Sequence, residues 1–350
     1  MAMRVGVFVL AAQFPGQGQG ESLHRALRSA EVAEESGLDS VWLAEHHFVP
    51  YGVCPSAVTL AALVLGRTER IRVGTAVSVL PNAHPVALGE QAALLHIASG
   101  GRFSLGVGRG GPWVDLEVFG AGLDAYESGF PESLDLLLRW LREPRVSAAG
   151  DRFAFREVAV VPRAGELLGA DPGGGSPEVG AEGPEVVVAC TSPKSVKLAA
   201  ERGLPMLLGM HCDDEEKAGM VALWRRVARE AGHSPDGAHV SAGVAQIADR
   251  PAEAAETLLK AMPGWLKQGL DAHVTVDGRH RAMRDPVAYT EMLCGLHPVG
   301  PPAMAADRIA ATSEKTGITR FAMLVEGSGD VAATEENVRR LGSEVLPLVG

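Results

Sequence analysis

Residues 71–107 read IRVGTAVSVLPNAHPVALGEQAALLHIASGGRFSLGV, and their alternation decides the fold class. Two runs, 71–80 and 102–107, are rich in Val, Ile and Leu, as expected of strands buried on both faces. Between them residues 86–98 have helical character, and Pro85 stands where a first helical turn accepts proline. A strand, a helix and a second strand in this order predict a parallel sheet with helices packed on its outside.

The same unit recurs in both directions. Upstream, strands are predicted at 4–10 and 40–44, with helices at 23–35 (closed by Gly37) and 56–65. Downstream, a helix at 132–141 leads to strands at 185–190, 205–209, 240–248 and 321–326. Helices are predicted at 194–202, 215–231, 252–267, 305–316 and 334–346. Eight strand–helix units without a change of type predict one α/β domain over 1–350, a (β/α)8 TIM barrel. A doubly wound open sheet is the rival, but no GxGxxG follows the first strand, where its fingerprint would sit. Two stretches interrupt the pattern. Residues 163–184 hold seven Gly and three Pro and are expected to form an exposed, mobile insertion; 269–302 reads as an irregular, lid-like segment.

Composition narrows the function classes. Of 350 residues, 46% are hydrophobic and 21% charged, so a large core can be buried. The 32 Lys+Arg against 43 Asp+Glu give −11, which disfavours nucleic acid as a partner because phosphate binding needs a basic surface. Cys54, Cys190, Cys212 and Cys294 are far apart and form no CxxC pair, so neither a disulfide framework nor a zinc ribbon is indicated. No apolar run approaches a membrane span. A cytoplasmic protein is the expectation.

In such barrels the working groups lie at the carboxyl ends of the strands. The second strand ends in Glu45-His46-His47-Phe48, and extended alternation would aim only one of the two rings into the mouth. That weakens a binuclear metal site and suits a proton-transferring histidine, although a loop histidine with a hydrogen bond is the plain alternative. The fourth strand runs into Gly108-Arg109-Gly110-Gly111, where backbone amides and a guanidinium can approach an anion, or a solvated turn can form. The fifth runs into Thr191-Ser192-Pro193-Lys194-Ser195, an N-cap whose helix start accepts anions. Capping alone explains the hydroxyls; convergence with Arg109 would make a phosphate site. His211, His233, His239, His273, His280 and His297 carry no signal individually.

Several blocks together resemble bacterial luciferase and the luciferase-like flavin-dependent monooxygenases: VWLAEHHF (41–48), VGTAVSVLPNAHPV (73–86), GRFSLGVGRG (101–110), VFG (118–120) and GLP (203–205). The likeness is dense from residue 3 to about 120, thinner over 185–232, and returns at HPVGPP (297–302), where family members carry an NPVGTP-like segment. It implies an FMNH2-dependent two-component monooxygenase, with reduced FMN delivered by a separate flavin reductase and a flavin C4a-(hydro)peroxide acting on a small organic substrate. By position it implies His46 as the catalytic acid or base. It also implies a non-proline cis Ala76–Val77 bond against the flavin ring, Val188 packed under that ring, and Arg109 with Thr191, Ser192 and Ser195 on the flavin phosphate. A homodimer packed through the helices after strands two and three is implied as well, and no metal.

Departures from the family pattern matter. Glu127 stands where the light-emitting subunit has a second phosphate arginine, Gly108 replaces a reactive cysteine, and Cys190 replaces a carboxylate. With the insertion at 163–184 and a shorter 269–300 segment, a relative that does not emit light is expected. The alternatives are a deazaflavin-dependent oxidoreductase on the same barrel, a flavin-binding protein without turnover, and a metal-dependent hydrolase.

Overall fold

The computed structural model describes residues 3–166, 183–279 and 284–349. Eight parallel strands close into a barrel. They are β1 (Arg4–Val9), β2 (Ser40–Leu43), β3 (Arg72–Thr75), β4 (Phe103–Gly108), β5 (Glu185–Cys190), β6 (Met206–Leu208), β7 (Val240–Val244) and β8 (Arg320–Leu324). Each pairs with its sequence neighbours, and β1 closes the ring on β8 with Val7 opposite Met323.

Strand alternation divides the core. Val5, Val7 and Val9 of β1 and Val186, Val188 and Cys190 of β5 face outward into the main core shared with the helices. Inside the barrel a smaller cluster of Trp42, Val187, Leu207, Val240 and Ala322 fills the floor, so the working volume is confined to the mouth.

The structure departs from expectation where local chemistry overrides the pattern. The strand expected over 71–80 is broken. β3 stops at Thr75, the Ala76–Val77 peptide bond is cis, and a short strand Ser78–Val79 resumes pairing with β4 at Val107 and Gly108. Across the gap the Thr75 hydroxyl takes over the ladder, donating to Gly106 O at 2.7 Å and accepting from Gly106 N at 2.9 Å. The segment expected to be irregular over 269–302 contains a helix, Pro286–Leu296. Asp285 caps it by accepting from Ala288 N at 2.7 Å, and Pro286 opens its first turn. An antiparallel hairpin, Arg145–Ala149 with Ala154–Ala159, follows the helix Phe130–Arg142. Most of the Gly/Pro-rich insertion, 167–182, lies outside the described residues. Among the described residues no helix is long and apolar enough to cross a membrane.

Candidate active site

The mouth holds a cavity of about 860 Å³ that reaches Phe8 and Leu10 of the β1 end, the β2 end at Ala44–His47, and the Ala76–Val77 bulge. A second cavity of about 260 Å³ opens beside it, lined by Arg109, Glu127, Ser192, Lys194 and Ser195 among others. Val77, Gly110, Ala189 and Thr191 border both, so the two are neighbours: a wide chamber with a smaller annex beside it.

His46 is placed by the backbone around it. Its N–H donates to Cys54 O at 2.9 Å, which folds the chain after β2 back under the ring. A side chain at Gly52 would begin 2.7 Å from His46 Nδ1, so only glycine leaves room for the imidazole. The ring meets Tyr51 edge-on at 5.0 Å, and Tyr51 in turn stacks on Trp265 at 4.8 Å. Nδ1 is buried and has no hydrogen-bond partner among the described residues. Burial, with smaller contributions from nearby His273 and His47, lowers the His46 pKa from 6.5 to about 3. The imidazole is therefore neutral at physiological pH.

His47 also lines the chamber, against the expectation that only one ring would. β2 ends at Leu43 and Phe48 takes φ 62°, so extended alternation does not hold over 44–48. Glu45 is occupied structurally: its carboxylate accepts from Ala57 N and Val79 N, both at 3.0 Å, tying the β2 end to the next helix and to the strand after the bulge.

The annex assembles the residues expected for phosphate. Ser192 and Ser195 form a reciprocal cap on the helix Pro193–Ala200, and the Thr191 and Ser192 N–H groups both donate to Ser195 Oγ at 3.2 Å. Arg109 enters from the β4 end with its guanidinium 4.1 Å over the Tyr126 ring. Lys194 lines the same annex, a second cation beside Glu127. A side chain at Gly108 would begin 2.5 Å from Val77 Cγ2, so the residue type here goes with the bulge opposite it.

One expected site residue is elsewhere. Val188 is fully buried in the outer core and lines neither cavity; Ala189, one residue on, faces inward and borders both. In a strand whose residues are nearly all apolar, hydropathy does not reveal which parity faces the barrel. The structure also brings in residues the sequence did not single out. His211, after β6, and His273, after the helix Pro251–Asp271, line the chamber, and burial chiefly lowers the pKa of each. Asp115 and Trp113 join from the loop after β4, and no periodicity marked any of them. Among the described residues no group of three or more His, Cys, Asp or Glu could hold a metal ion.

A model of the luciferase-like monooxygenase family matches residues 3–320. The alkanal monooxygenase alpha chain of Photorhabdus luminescens is 29% identical over 365 residues, covering 99% of this chain and 98% of that protein. The monooxygenase RslO1 from Streptomyces bottropensis superposes with a TM-score of 0.82 at 23% identity, covering 99% of both chains. The FMN complex of the oxygenating constituent of 3,6-diketocamphane monooxygenase from Pseudomonas putida, a type II Baeyer–Villiger monooxygenase, has a TM-score of 0.74 at 22% identity, covering 100% of this chain and 99% of that one. F420-dependent enzymes share the fold at similar or slightly lower likeness. With a barrel and a mouth of this construction, and a family match across nine-tenths of its length, the chain belongs to the luciferase-like flavin-dependent monooxygenases.

Proposed function

We propose that the protein is the oxygenating component of a two-component system, taking reduced FMN from a separate reductase and oxygenating a small organic molecule in the barrel mouth. The observation that carries this reading is that the chamber and the annex lie side by side and share Val77, Gly110, Ala189 and Thr191. A flat ring against the Ala76–Val77 bulge can lie in the chamber while its phosphate reaches two cations and a capped helix start.

The residues present fit that cofactor. Arg109 and Lys194 supply positive charge, and Thr191, Ser192 and Ser195 line the annex at the helix start, where the amides of all three are engaged in the reciprocal cap. Reduced FMN, when bound, supplies the activation of O2. The chain's own contribution is to orient and to exclude water. Apolar walls from Phe8, Leu10, Leu207 and Met210 limit water on their side of the chamber, and neutral His46 takes or returns a proton at its ring nitrogen. A homodimer through the helices Ala57–Leu65 and Pro85–Ala98 accords with exposed Leu63 and Leu94 on those helices.

The test is anaerobic mixing with reduced FMN, followed by an oxygen pulse watched by rapid absorbance. An absorbance transient outliving free-flavin autoxidation is the expected result. Kinetics identical to free FMN, together with tight binding of reduced F420 in the same assay, would overturn the reading in favour of hydride transfer.

A further inference from the structure

The annex contains a cation that no carboxylate holds. Arg109 is exposed at the β4 end, and its guanidinium forms no hydrogen bond or ion pair with any described residue, not even with Glu127 of the same annex. What it meets instead is Tyr126, with the guanidinium carbon 4.1 Å from the ring centroid. A ring face attracts a cation through its quadrupole but carries no net charge. It can therefore hold a guanidinium without neutralising it, whereas a carboxylate would hold and neutralise it together.

The ring is itself held from outside the annex. Tyr126 is half-buried and belongs to Ala125–Gly129, a single π-helical turn ahead of the helix Phe130–Arg142, a rare geometry frequent at functional sites. Arg152, at the tip of the hairpin, clasps this turn. Its guanidinium pairs with Asp124 and donates to Ala121 O at 3.3 Å, and its backbone N–H donates to Glu132 Oε1 at 3.1 Å. A side chain at Gly129 would begin 2.7 Å from Arg152 Cδ, so glycine leaves the room for the clasp. Arg109, by contrast, stands between Gly108 and Gly110, which restrain its backbone little. A long side chain loses rotamer freedom when it takes a ligand, and a contact that orders it beforehand removes part of that cost.

We infer that Tyr126 is a positioning residue, whose ring keeps the Arg109 guanidinium ordered in the annex with its charge intact for a phosphate monoester. The inference rests on the reading that places the FMN phosphate in the annex. Tyr126 acts through Arg109 and on the phosphate only, so its effect disappears when either is removed.

The experiment titrates oxidised FMN and riboflavin, which lacks the phosphate, into the full-length protein by flavin fluorescence. Tyr126→Leu should weaken FMN about three- to tenfold, as for loss of one partly desolvated cation–π contact. Tyr126→Phe keeps the ring and should lose less than about twofold. Riboflavin should bind the parent and both variants alike. In an Arg109→Ala background, Tyr126→Leu should add no further loss. Should Tyr126→Leu fold poorly, Tyr126→Met makes the same comparison. The inference is overturned if Tyr126→Leu binds FMN like the parent, if Tyr126→Phe loses as much as Tyr126→Leu, or if riboflavin weakens equally. It is also overturned if the loss persists without Arg109, because the ring then acts on its own. An FMN preference over riboflavin that needs Arg109 but ignores Tyr126 removes this assignment alone. A parent that binds FMN no more tightly than riboflavin, and is indifferent to Arg109→Ala, overturns the placement of the phosphate and this assignment with it.

Discussion

Two buried polar clusters flank the barrel mouth, and they are finished differently. In the first, Arg25 from the helix Gln19–Glu35 lies fully buried beside Glu326 just past β8, with Nε 3.4 Å from the carboxylate. Its other donors reach Ala12 O, Gly329 O at 2.7 Å and Gln17 Oε1 at 3.0 Å, while Glu326 accepts from Leu10 N at 2.7 Å. In the second, His46 Nδ1, His47 Nε2 and Asp115 Oδ1 are buried without hydrogen-bond partners among the described residues, His47 Nε2 lying 3.6 Å from Glu45 Oε1. The contrast separates two uses of buried polarity. A saturated cluster stitches the ends of β1 and β8 to the first helix and has no capacity for a ligand. An unsaturated one costs stability by itself, and its three side chains belong to residues that line the mouth.

Mutation should split the two clusters cleanly, with the largest effect in the unsaturated one. His46→Ala is expected to lower turnover by about 10²- to 10⁴-fold, while denaturant unfolding and flavin affinity stay near those of the parent. Glu326→Ala strands a buried guanidinium and should cost about 3–5 kcal/mol in urea unfolding, with normal flavin binding by the fraction that remains folded. A His46→Ala protein that is broadly unfolded, or a Glu326→Ala protein as stable as the parent, would break the distinction.

Acid should sharpen it. Burial lowers His239 and His297 from 6.5 to about 4, and His46 to about 3. The unfolded chain then binds more protons than the native state between those values and 6.5, so stability is complete above pH 6.5 and falls as pH drops towards 4. At about 1.4 kcal/mol per unit and site, the two structural histidines alone place a few kcal/mol in that window. Turnover over the range where the protein remains folded should show no limb near 6.5, because His46 is already neutral there. An acidic limb at 6.5 in kcat/KM would assign the chemistry to a histidine that is not desolvated.

How much of this was legible in the chain follows from the same physics. The barrel could be read because strands covered on both faces need unbroken apolar runs, and β4 and β5 were located within a residue of their observed ends. Arg109 and the hydroxyls of 191–195 were legible because glycine and capping chemistry act locally, and they do meet in one annex. Val188 was misplaced for the reason that made β5 easy to find: an all-apolar strand hides its parity. Asp115, Lys194, His211 and His273 were not legible as a set. They converge from four separate segments of the chain, and each is an ordinary polar residue until closure of the barrel brings it to the mouth.

The annex offers the finest test, because its charges are exposed and their effects small. Arg109→Ala should weaken FMN by about 10- to 100-fold, as expected for loss of a charge-assisted phosphate contact. Lys194→Ala should cost less, since a lysine is a mobile point charge without the planar fork of arginine. Glu127 faces the same annex, and its charge opposes the phosphate through a solvent-accessible medium in which a unit charge several ångströms away acts weakly. Glu127→Gln is therefore expected to tighten FMN by about two- to fivefold at low salt, with the gain fading as ionic strength rises. Riboflavin, which lacks the phosphate, should bind the Glu127→Gln and parent proteins alike. A gain that persisted in high salt, or that appeared equally with riboflavin, would mean the glutamate acts on the shape of the annex rather than its charge, and that Arg109 and Lys194 are not where the phosphate sits.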